Sequence, residues 1–515
     1  MNYRFVINQI GLLLLVLAGV MVGVALWAMA VWLAVDAWPA GSLGFLGSAA
    51  IGIIIGGTMY ISTRSHSKDI FGRREAMLLV AFSWFLGAAL AACPYLIWAH
   101  FGATAPDHHP FQNYIDCYFE AMSGLTTTGA TVLTDIEAMP RTLLLWRSLT
   151  QWLGGLGIVV LFVAVLPSLG VGARKLFSFE MTGPTQGGVR PRIQETAKTL
   201  WIIYTGLTIL AIVLLRLCGM AWFDAFCHGF STLAIGGFSP HNASLGGYNN
   251  TAVNLVIMVF MILAGVNFGV YYQLFNRAGR NALRDTETRV YLGMLTIAAT
   301  LVIATLLIAG QPLSATDGEQ LEPTVANVVE HGLFNTVSLA TTTGYATADF
   351  NEWPFFARAV LITAMLIGGS AGSTAGGLKI VRVWIMFKII YAELERAFHP
   401  HVIRPTRLGR VAIDTDMKLA VLAYIIGILL LCAGGAVVVM MLEINNPQAD
   451  FTTAATASIA TVFNIGPGFA AVGPIAHFGW MSTPTKAFLS LMMVLGRLEV
   501  FAILVLFMPR FWKTS

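Results

Sequence analysis

The stretch Thr126-Thr127-Thr128-Gly129-Ala130 recurs later in the chain as Thr341-Thr342-Thr343-Gly344-Tyr345. A glycine after small or hydroxylated residues lets the backbone turn several carbonyls in one direction, because glycine has no Cβ to clash. A single copy of this stretch fits a polar loop between two helices. Its repetition inside an apolar chain favours a functional role.

Two weaker copies complete a series of four, ending in Ile235-Gly236-Gly237 and in Asn464-Ile465-Gly466. Aligned on their glycines, the four copies lie 108, 107 and 122 residues apart. Each follows an apolar segment of about ten to fifteen residues, which is too short to cross a bilayer and suits a re-entrant half-helix. Each copy also lies between two longer apolar segments. The sequence therefore predicts the unit helix, half-helix, loop, helix, four times over.

The composition points to the membrane. The chain has 515 residues, of which 57% are hydrophobic and only 11% are charged. These values exclude a disordered chain and an ordinary soluble enzyme, and they fit a polytopic, all-α membrane protein. The first apolar span, residues 11–32, has no small-residue cleavage site and is expected to stay in the membrane.

The predicted architecture consists of two leading spans and four repeats. The leading spans cover about 11–35 and 43–61, and the half-helices about 113–125, 223–233, 325–340 and 451–462. The longer spans of the repeats cover about 76–98, 143–169, 200–217, 252–275, 290–309, 357–391, 419–442 and 487–508. The corresponding units are 1–72, 73–195, 196–286, 287–412 and 413–515.

The basic residues indicate an orientation. Arginine and lysine cluster in alternate connections, and by the positive-inside rule that side, with both termini, is cytoplasmic. The four loops then face outward, with acidic flanks that include Asp116, Glu120 and Glu330. These flanks fit either ordinary polar loops or a vestibule that attracts cations.

The half-helices predict the sign of the ion. If they enter from outside and end at the loops, their unpaired terminal carbonyls carry partial negative charge there, which favours a cation. Rows of such carbonyls can replace the hydration shell of K⁺. Irregular backbone at this depth is tolerated only where it lines a cavity or is buried in protein. Four loops around one axis meet that condition.

The repeated unit resembles the Trk/Ktr/HKT superfamily of K⁺ transporters, and within it the bacterial TrkH/TrkG-type membrane subunit. The resemblance covers nearly the whole chain and rests on TTTGAT (126–131), AIGGFSPHNAS (234–244), TTTGYATADFNEWP (341–354), GGSAGSTAGGLK (368–379) and FNIGPGF (463–469). It implies K⁺ uptake through a gated pore with a four-part selectivity filter. The filter residues it implies are Thr127, Thr128, Gly129, Ile235, Gly236, Gly237, Thr342, Thr343, Gly344, Asn464, Ile465 and Gly466. The K⁺ ligands it implies among them are Thr127, Thr128, Ile235, Gly236, Thr342, Thr343, Asn464 and Ile465.

The resemblance also implies a gate. A glycine-rich stretch at 368–377 interrupts what would otherwise be one long span, and the family places an intramembrane gating loop there, below the filter. The gate residues implied are Gly368, Gly369, Gly372, Gly376, Gly377 and Arg497. From the residues alone, a seam of small residues between packed helices stays open for the glycines, whereas a phosphate loop is disfavoured because GK[ST] is missing. Arg497 fits either a pore-lining cation that holds the loop or a structural ion pair.

Other chemistry finds little support in the sequence. The histidines show no metal-ligand spacing, and we expect no enzyme activity and no cofactor, K⁺ being the transported ion. A Cys218–Cys227 disulfide stays open. A K⁺ porter coupled to H⁺ or Na⁺, that is a symporter, is the main alternative, but porters commonly have inverted repeats and these run in parallel.

The resemblance further implies an assembly in the bacterial inner membrane. The chain is expected to form a homodimer in membrane lipid and to bind a cytosolic TrkA-type nucleotide-binding regulatory subunit through its basic connections. We expect no nucleic-acid partner.

Overall fold

The structure is a computed structural model. It describes residues 2–35, 41–63, 73–102, 108–155, 157, 193–275, 285–400, 407–408, 411–413, 415–498 and 501–512. Within these ranges the regular secondary structure is almost entirely helical, as predicted. The exceptions are two short hairpins, β1 (Leu313–Ser314) with β2 (Gln320–Leu321), and β3 (Arg407–Leu408) with β4 (Val411–Ala412). All five cysteines are free, so a Cys218–Cys227 disulfide is absent.

The two leading helices form a closely packed pair. Helix α1 spans Tyr3–Val35 and α2 spans Ser42–Thr63. A Cβ on Gly11 would lie 2.7 Å from the carbonyl oxygen of Gly56, and one on Gly56 would lie 2.8 Å from that of Gly11. Reciprocal glycines let the two backbones touch, which is how helices pack in lipid without a hydrophobic driving force between them.

Each repeat has a first helix, a half-helix and a second helix. The first helices are α3 (Arg73–Phe101), α6 (Ile193–Leu217), α10 (Thr286–Ala309) and α14 (Thr415–Leu442). The half-helices are α4 (Tyr114–Leu125), α7 (Trp222–Ala234), α11 (Val325–Ala340) and α15 (Phe451–Val462). The second helices begin as α5 (Arg141–Gly155), α8 (Thr251–Ala264), α12 (Phe355–Ile367) and α16 (Thr483–Arg497).

The half-helices begin where a side chain caps them. Asn113, Thr324 and Asp450 each accept a hydrogen bond from a backbone N–H in the first turn of α4, α11 and α15. Such caps satisfy N–H groups that have no partner within the helix. Helix α7 has no side-chain cap. The predicted bounds 325–340 and 451–462 coincide with α11 and α15.

The second helices of repeats 2 and 4 differ from the prediction, because they are broken. Helix α8 ends at Ala264 and the chain resumes as α9 (Phe268–Phe275), although one span was predicted over 252–275. The break predicted inside 357–391 is present between α12 and α13 (Ile380–Phe398). The prediction of a continuous span was also wrong for the fourth repeat. Helix α16 ends at Arg497 before the short helices α17 (Phe501–Leu504) and α18 (Pro509–Trp512), so the span predicted over 487–508 is interrupted. The span predicted over 143–169 is described as helix α5 up to Gly155, and most of the rest lies outside the described residues.

Six helices of the described residues are long and apolar enough to cross a membrane: Tyr3–Ala30, Ser42–Thr63, Met77–Phe101, Lys198–Leu217, Thr286–Ala309 and Thr415–Leu442. These are the leading pair and the four first helices. The second helices α8 (Thr251–Ala264) and α12 (Phe355–Ile367) are apolar but shorter, with 14 and 13 residues. The fold is thus an all-α membrane protein of four pseudo-symmetric repeats around the four loops, with two helices added in front. The unit boundaries at 72, 195, 286 and 412 stay predictions.

Candidate ion pathway

The four half-helices end in the same backbone conformation. The residue two before each aligned glycine is left-handed: φ is 54° at Thr127, 55° at Ile235, 66° at Thr342 and 53° at Asn464. The aligned glycines also have positive φ, between 74° at Gly237 and 94° at Gly466. Four stretches with different sequences therefore share one loop geometry.

A shared hydrogen bond fixes this geometry. The N–H of the residue before each glycine donates back to the carbonyl five residues earlier: Thr128 to Ser123 at 2.8 Å, Gly236 to Ser231 at 2.9 Å, Thr343 to Ser338 at 2.8 Å and Ile465 to Ala460 at 2.9 Å. This is the 6→1 bond of a Schellman helix ending. Threonine and isoleucine are unfavourable at a left-handed position, so the surrounding structure must impose it.

The four loops form a closed ring. A Cβ built on Gly129 would lie 2.2 Å from the carbonyl oxygen of Gly236, and one on Gly237 would lie 2.1 Å from that of Thr343. One on Gly344 would lie 1.9 Å from the oxygen of Ile465, and one on Gly466 would lie 2.8 Å from that of Thr128. Each glycine thus faces the carbonyl that precedes the next glycine, in chain order, until the fourth returns to the first. We call Gly129, Gly237, Gly344 and Gly466 the glycine ring.

The hydroxyls beside the ring are distributed unequally. In the first and third loops the outer threonines bond to each other, Thr126 to Thr128 and Thr341 to Thr343, both at 2.8 Å. In the fourth loop the side chain of Asn464 donates to the hydroxyl of Thr128 at 2.8 Å and so ties the fourth loop to the first. The ring is fourfold in its backbone, whereas in its side chains only the first and third loops are alike.

In three of the four repeats, a side chain of the half-helix braces the chain beyond the ring. It accepts a hydrogen bond from the backbone N–H of the residue three after the ring glycine. The N–H of Val132 donates to Glu120, that of Thr347 to Asn335, and that of Phe469 to Thr456. Each acceptor lies on the half-helix of the same repeat. The second repeat has Pro240 at this position, which has no N–H to donate.

Arg147 is the hub of the brace in the first repeat. Its Nε donates to Glu120 at 2.8 Å, with the two side chains 1% and 0% exposed. Its other nitrogens donate to the carbonyl of Ser239 and the hydroxyl of Thr131, and its guanidinium lies 4.1 Å from the ring centre of Phe238. A buried carboxylate is stable only when paired and hydrogen-bonded. Glu120 is therefore a structural partner of Arg147 and not a free charge of an outer vestibule.

Gln151 links the first repeat to the ring of the second. Its Nε2 donates to the carbonyl of Gly236 at 2.6 Å, and its Oε1 accepts from the N–H of Phe238 at 3.2 Å. The Gly236 carbonyl faces Gly129 in the ring, so one of the four ring carbonyls already has a protein donor. A carbonyl oxygen has two lone pairs and can still accept a second partner.

A cavity of about 120 Å³ lies against the ring, on the side of the residues that follow the glycines. All four ring glycines line it, together with side chains that include Arg147, His241 and His477. His241 lies between Glu137 and Asp224, at 3.3 and 3.5 Å. The hydrogen bond with Asp224 is the main cause that raises the pKa of His241. Asp116 pairs with Lys486 in a buried contact, so it too is structural.

The glycine-rich loop 368–377 contacts the ring loops from the other side. The N–H of Gly376 donates to the hydroxyl of Thr342 at 2.7 Å, and a Cβ on Gly376 would lie 1.9 Å from the carbonyl oxygen of Phe463. Gly368, Gly372 and Gly377 have φ of 72°, 70° and 83°, which favours glycine. Gly369 does not have positive φ; a Cβ there would lie 2.6 Å from the side chain of Ala375.

Arg497 contacts this loop as the sequence predicted. Its guanidinium donates to the carbonyl of Thr374 at 3.0 Å and to the carbonyls of Gly154 and Gly155 at 2.9 and 2.8 Å. It is the last residue of α16 and does not lie inside a continuous span. These bonds join the loop to the carbonyls of Gly154 and Gly155 in the second helix of repeat 1, so one side chain connects three repeats.

Several contributors were missed by sequence reasoning. Arg147 and Gln151 lie four residues apart on α5, on one helix face, and Arg147 is a charge within a predicted span, which was the available signal. Thr374 donates to the carbonyl of Leu233 at 3.1 Å, and the carboxylate of Glu287 accepts from the N–H of Ala371 at 2.5 Å. Glu287 gave no signal, because a first-turn carboxylate is common.

Comparison with known proteins agrees with this geometry. Residues 47–514 match TrkH, a family described as cation transport proteins. The chain belongs to the TrkH family. A Salmonella typhimurium protein named Trk system potassium uptake protein TrkH is 35% identical, and the match covers 100% of both chains. The Escherichia coli (strain K12) protein named Trk system potassium uptake protein TrkG is 33% identical over 89% of this chain and 90% of its own length.

A solved structure supports the same assignment. The crystal structure of the potassium transporter TrkH from Vibrio parahaemolyticus matches with a TM-score of 0.82 at 33% identity, over 100% of both chains. The family predicted from the motifs is confirmed, and with it the class of membrane transporter.

Proposed function

We propose that the chain takes up K⁺ across the bacterial inner membrane through a gated, K⁺-selective pore, as the translocating subunit of a Trk-type system. The observation that carries the proposal is the closed ring of four glycines, each facing a carbonyl of the next loop. Backbone carbonyls gathered in this way can replace the water around a K⁺ ion. The names of relatives that cover the whole chain support the same substrate.

The filter in this proposal consists of the ring loops, residues 127–129, 235–237, 342–344 and 464–466. The carbonyls of Thr127, Thr128, Ile235, Gly236, Thr342, Thr343, Asn464 and Ile465 are its K⁺ ligands. Gly129→Ser places a side chain against the Gly236 carbonyl and should admit Na⁺. Uptake of Rb⁺ and Na⁺ by wild type and variant tests this, and unchanged discrimination would remove Gly129 from the filter.

The gate in this proposal is the glycine-rich loop with Arg497. The loop lies against Thr342 and Phe463, on the path of an ion leaving the ring, and Arg497 remains charged at any accessible pH and opposes a cation there. Arg497→Ala, or deletion of several residues from 369–376, should raise Rb⁺ flux in liposomes without any partner. The double change should add little, since the two elements act together. If the single variants conduct no more Rb⁺ than wild type, the loop only packs between helices and is not a gate.

A coupled porter is the competing mechanism. Electrical recording in proteoliposomes separates the two: an ohmic K⁺ current supports the pore, and a fixed H⁺ or Na⁺ stoichiometry supports the porter. We favour the pore because the four repeats share one loop geometry around one ring, whereas porters commonly use inverted repeats. No catalytic function is proposed.

The assembly belongs to the proposal as well. We propose a homodimer with cytoplasmic termini, bound on its basic connections by a cytosolic TrkA-type nucleotide-binding subunit. Most of these connections lie outside the described residues. Native mass spectrometry that finds only monomers, with pull-downs that recover no partner and K⁺ flux in cells that ignores ATP, would contradict it.

A further inference from the structure

The glycine-rich loop is held at two points by side chains of opposite charge. Arg497 donates to the carbonyl of Thr374 at 3.0 Å. Three residues earlier, the N–H of Ala371 donates to the carboxylate of Glu287 at 2.5 Å. Glu287 lies in the first turn of α10 and is only 6% exposed. The short segment between Ala371 and Thr374 is thus fixed from repeat 4 on one side and from the start of repeat 3 on the other.

The other bonds that tie this segment to repeat 2 are neutral. The hydroxyl of Thr374 donates to the carbonyls of Leu233 and Ala264, and two backbone bonds run to the break between α8 and α9. The N–H of Ser370 donates to the carbonyl of Gly265 at 3.0 Å, and that of Phe268 to the carbonyl of Gly372 at 3.0 Å. Hydrogen bonds to an ionised group are roughly twice as strong as neutral ones. The contacts with charged side chains therefore contribute most to holding the loop in place: those of Arg497 and Glu287, and the bond that Lys379 Nζ donates to the carbonyl of Ala375.

A buried carboxylate at this position needs an explanation, because burying a charge is unfavourable unless it is hydrogen-bonded. The Ala371 N–H supplies that bond. Helix α10 begins directly after the connection 276–284, whose sequence holds Arg277, Arg280 and Arg284. A displacement of the start of α10 would move the carboxylate away from the loop.

We infer that Glu287 is a positioning residue of the gate, whose carboxylate latches the closed loop at Ala371 on the side opposite Arg497. The inference rests on the proposed function of the loop as a gate. It adds a second anchor and assigns the start of α10 as the element whose movement releases the loop. Opening then requires that both anchors let go.

The test is basal Rb⁺ flux in liposomes that contain the full chain and no partner. Glu287→Ala should raise this flux roughly tenfold or more, since a hydrogen bond to a charged group is lost from the closed state alone. Glu287→Gln should lie between, because its amide oxygen still accepts but carries no charge. Asp416→Asn is the matched control. Asp416 is the second residue of α14, as Glu287 is of α10, and both follow a threonine, but Asp416 is exposed. It should behave as wild type.

Two further readouts distinguish a latch from a general structural role. The preference for K⁺ over Na⁺ should stay at the wild-type value in Glu287→Gln, because the ring is untouched, whereas a misfolded pore would lose it. In the double variant with Arg497→Ala, the increase in basal Rb⁺ flux should be smaller than the product of the two single increases.

The inference is overturned if both Glu287 variants keep wild-type basal flux while Arg497→Ala conducts. If Glu287→Ala yields no folded protein, Glu287→Gln decides by the same criterion. A different result identifies failure of the proposed function itself: Arg497→Ala and the loop deletion both stay closed, and the wild type carries no K⁺ current even in native membranes.

Discussion

Two layers of the molecule lie next to each other and follow different rules. The glycine ring repeats one backbone conformation four times, down to the same 6→1 hydrogen bond. In the layer below it, the second helices of repeats 2, 3 and 4 are interrupted, and among these three repeats only repeat 3 inserts a long glycine-rich loop and only repeat 4 supplies Arg497. The difference suggests that binding an ion needs near-symmetry, whereas closing a path needs one element that differs from the others.

The largest effect is expected where the ring is tightest. Gly344→Ala places a Cβ 1.9 Å from the backbone oxygen of Ile465 and should abolish Rb⁺ uptake, because backbone cannot move aside as a flexible side chain can. Gly466→Ala, at 2.8 Å, should retain part of the activity. Gly219→Ala is the control, since Gly219 has φ of 98° but nothing within 4 Å of its Cβ. Equal losses in all three would mean that strain in φ, and not the ring contact, is responsible.

The next effect concerns the buried brace of repeat 1, which has a charged pair where repeat 3 has a neutral Asn335. Glu120→Gln leaves Arg147 buried without its carboxylate and should lower the free energy of unfolding by about 3–5 kcal/mol. Thermal unfolding in detergent measures it. Glu393→Gln, which removes the exposed partner of Arg396, should change stability by less than about 1 kcal/mol. A loss of that small size in Glu120→Gln would show that the pair does not hold the ring.

A smaller effect is expected from the link between repeats 1 and 2. Gln151→Leu removes the donor to the Gly236 carbonyl and leaves that oxygen free to move. The K⁺ over Na⁺ uptake ratio should fall by up to about tenfold, as expected for one lost hydrogen bond. Gln112→Leu, on an exposed site, is the control. A changed rate with an unchanged ratio would place Gln151 outside the selectivity of the ring.

The smallest effect is a pH dependence at the cavity beside the ring. His241 is 37% exposed, and its pKa is raised chiefly by the hydrogen bond with Asp224, with Glu137 on its other side. Because the folded pKa is raised, the link is complete below the ordinary value of 6.5 and is lost as the pH on that side of the membrane rises through the raised pKa. Uptake should therefore change modestly over that window in wild type and be flat in His241→Gln. A slope that persists in the variant would assign it to another group.

Elements fixed by neighbouring residues could be predicted from the sequence, whereas those fixed by residues far along the chain could not. The half-helices α11 and α15 could be placed to the residue, because their caps and their apolar lengths are local. The break between α8 and α9 could not, because Gly265 and Phe268 exchange backbone hydrogen bonds with residues about a hundred positions away. Arg497 was singled out as a charge in an apolar segment. Its counterpart Glu287 was not, because its partner Ala371 lies 84 residues away and nothing local marks it.

Whether ring and gate are separate layers can be tested directly. Arg497→Ala is reconstituted without any partner, with and without Gly129→Ser, and the K⁺ and Na⁺ permeabilities are read from reversal potentials. If the two layers are separate, Arg497→Ala conducts with the wild-type preference for K⁺, and adding Gly129→Ser brings the Na⁺ permeability close to that of K⁺. Loss of the preference in Arg497→Ala alone, or its survival in the double variant, would contradict the separation of selectivity from gating.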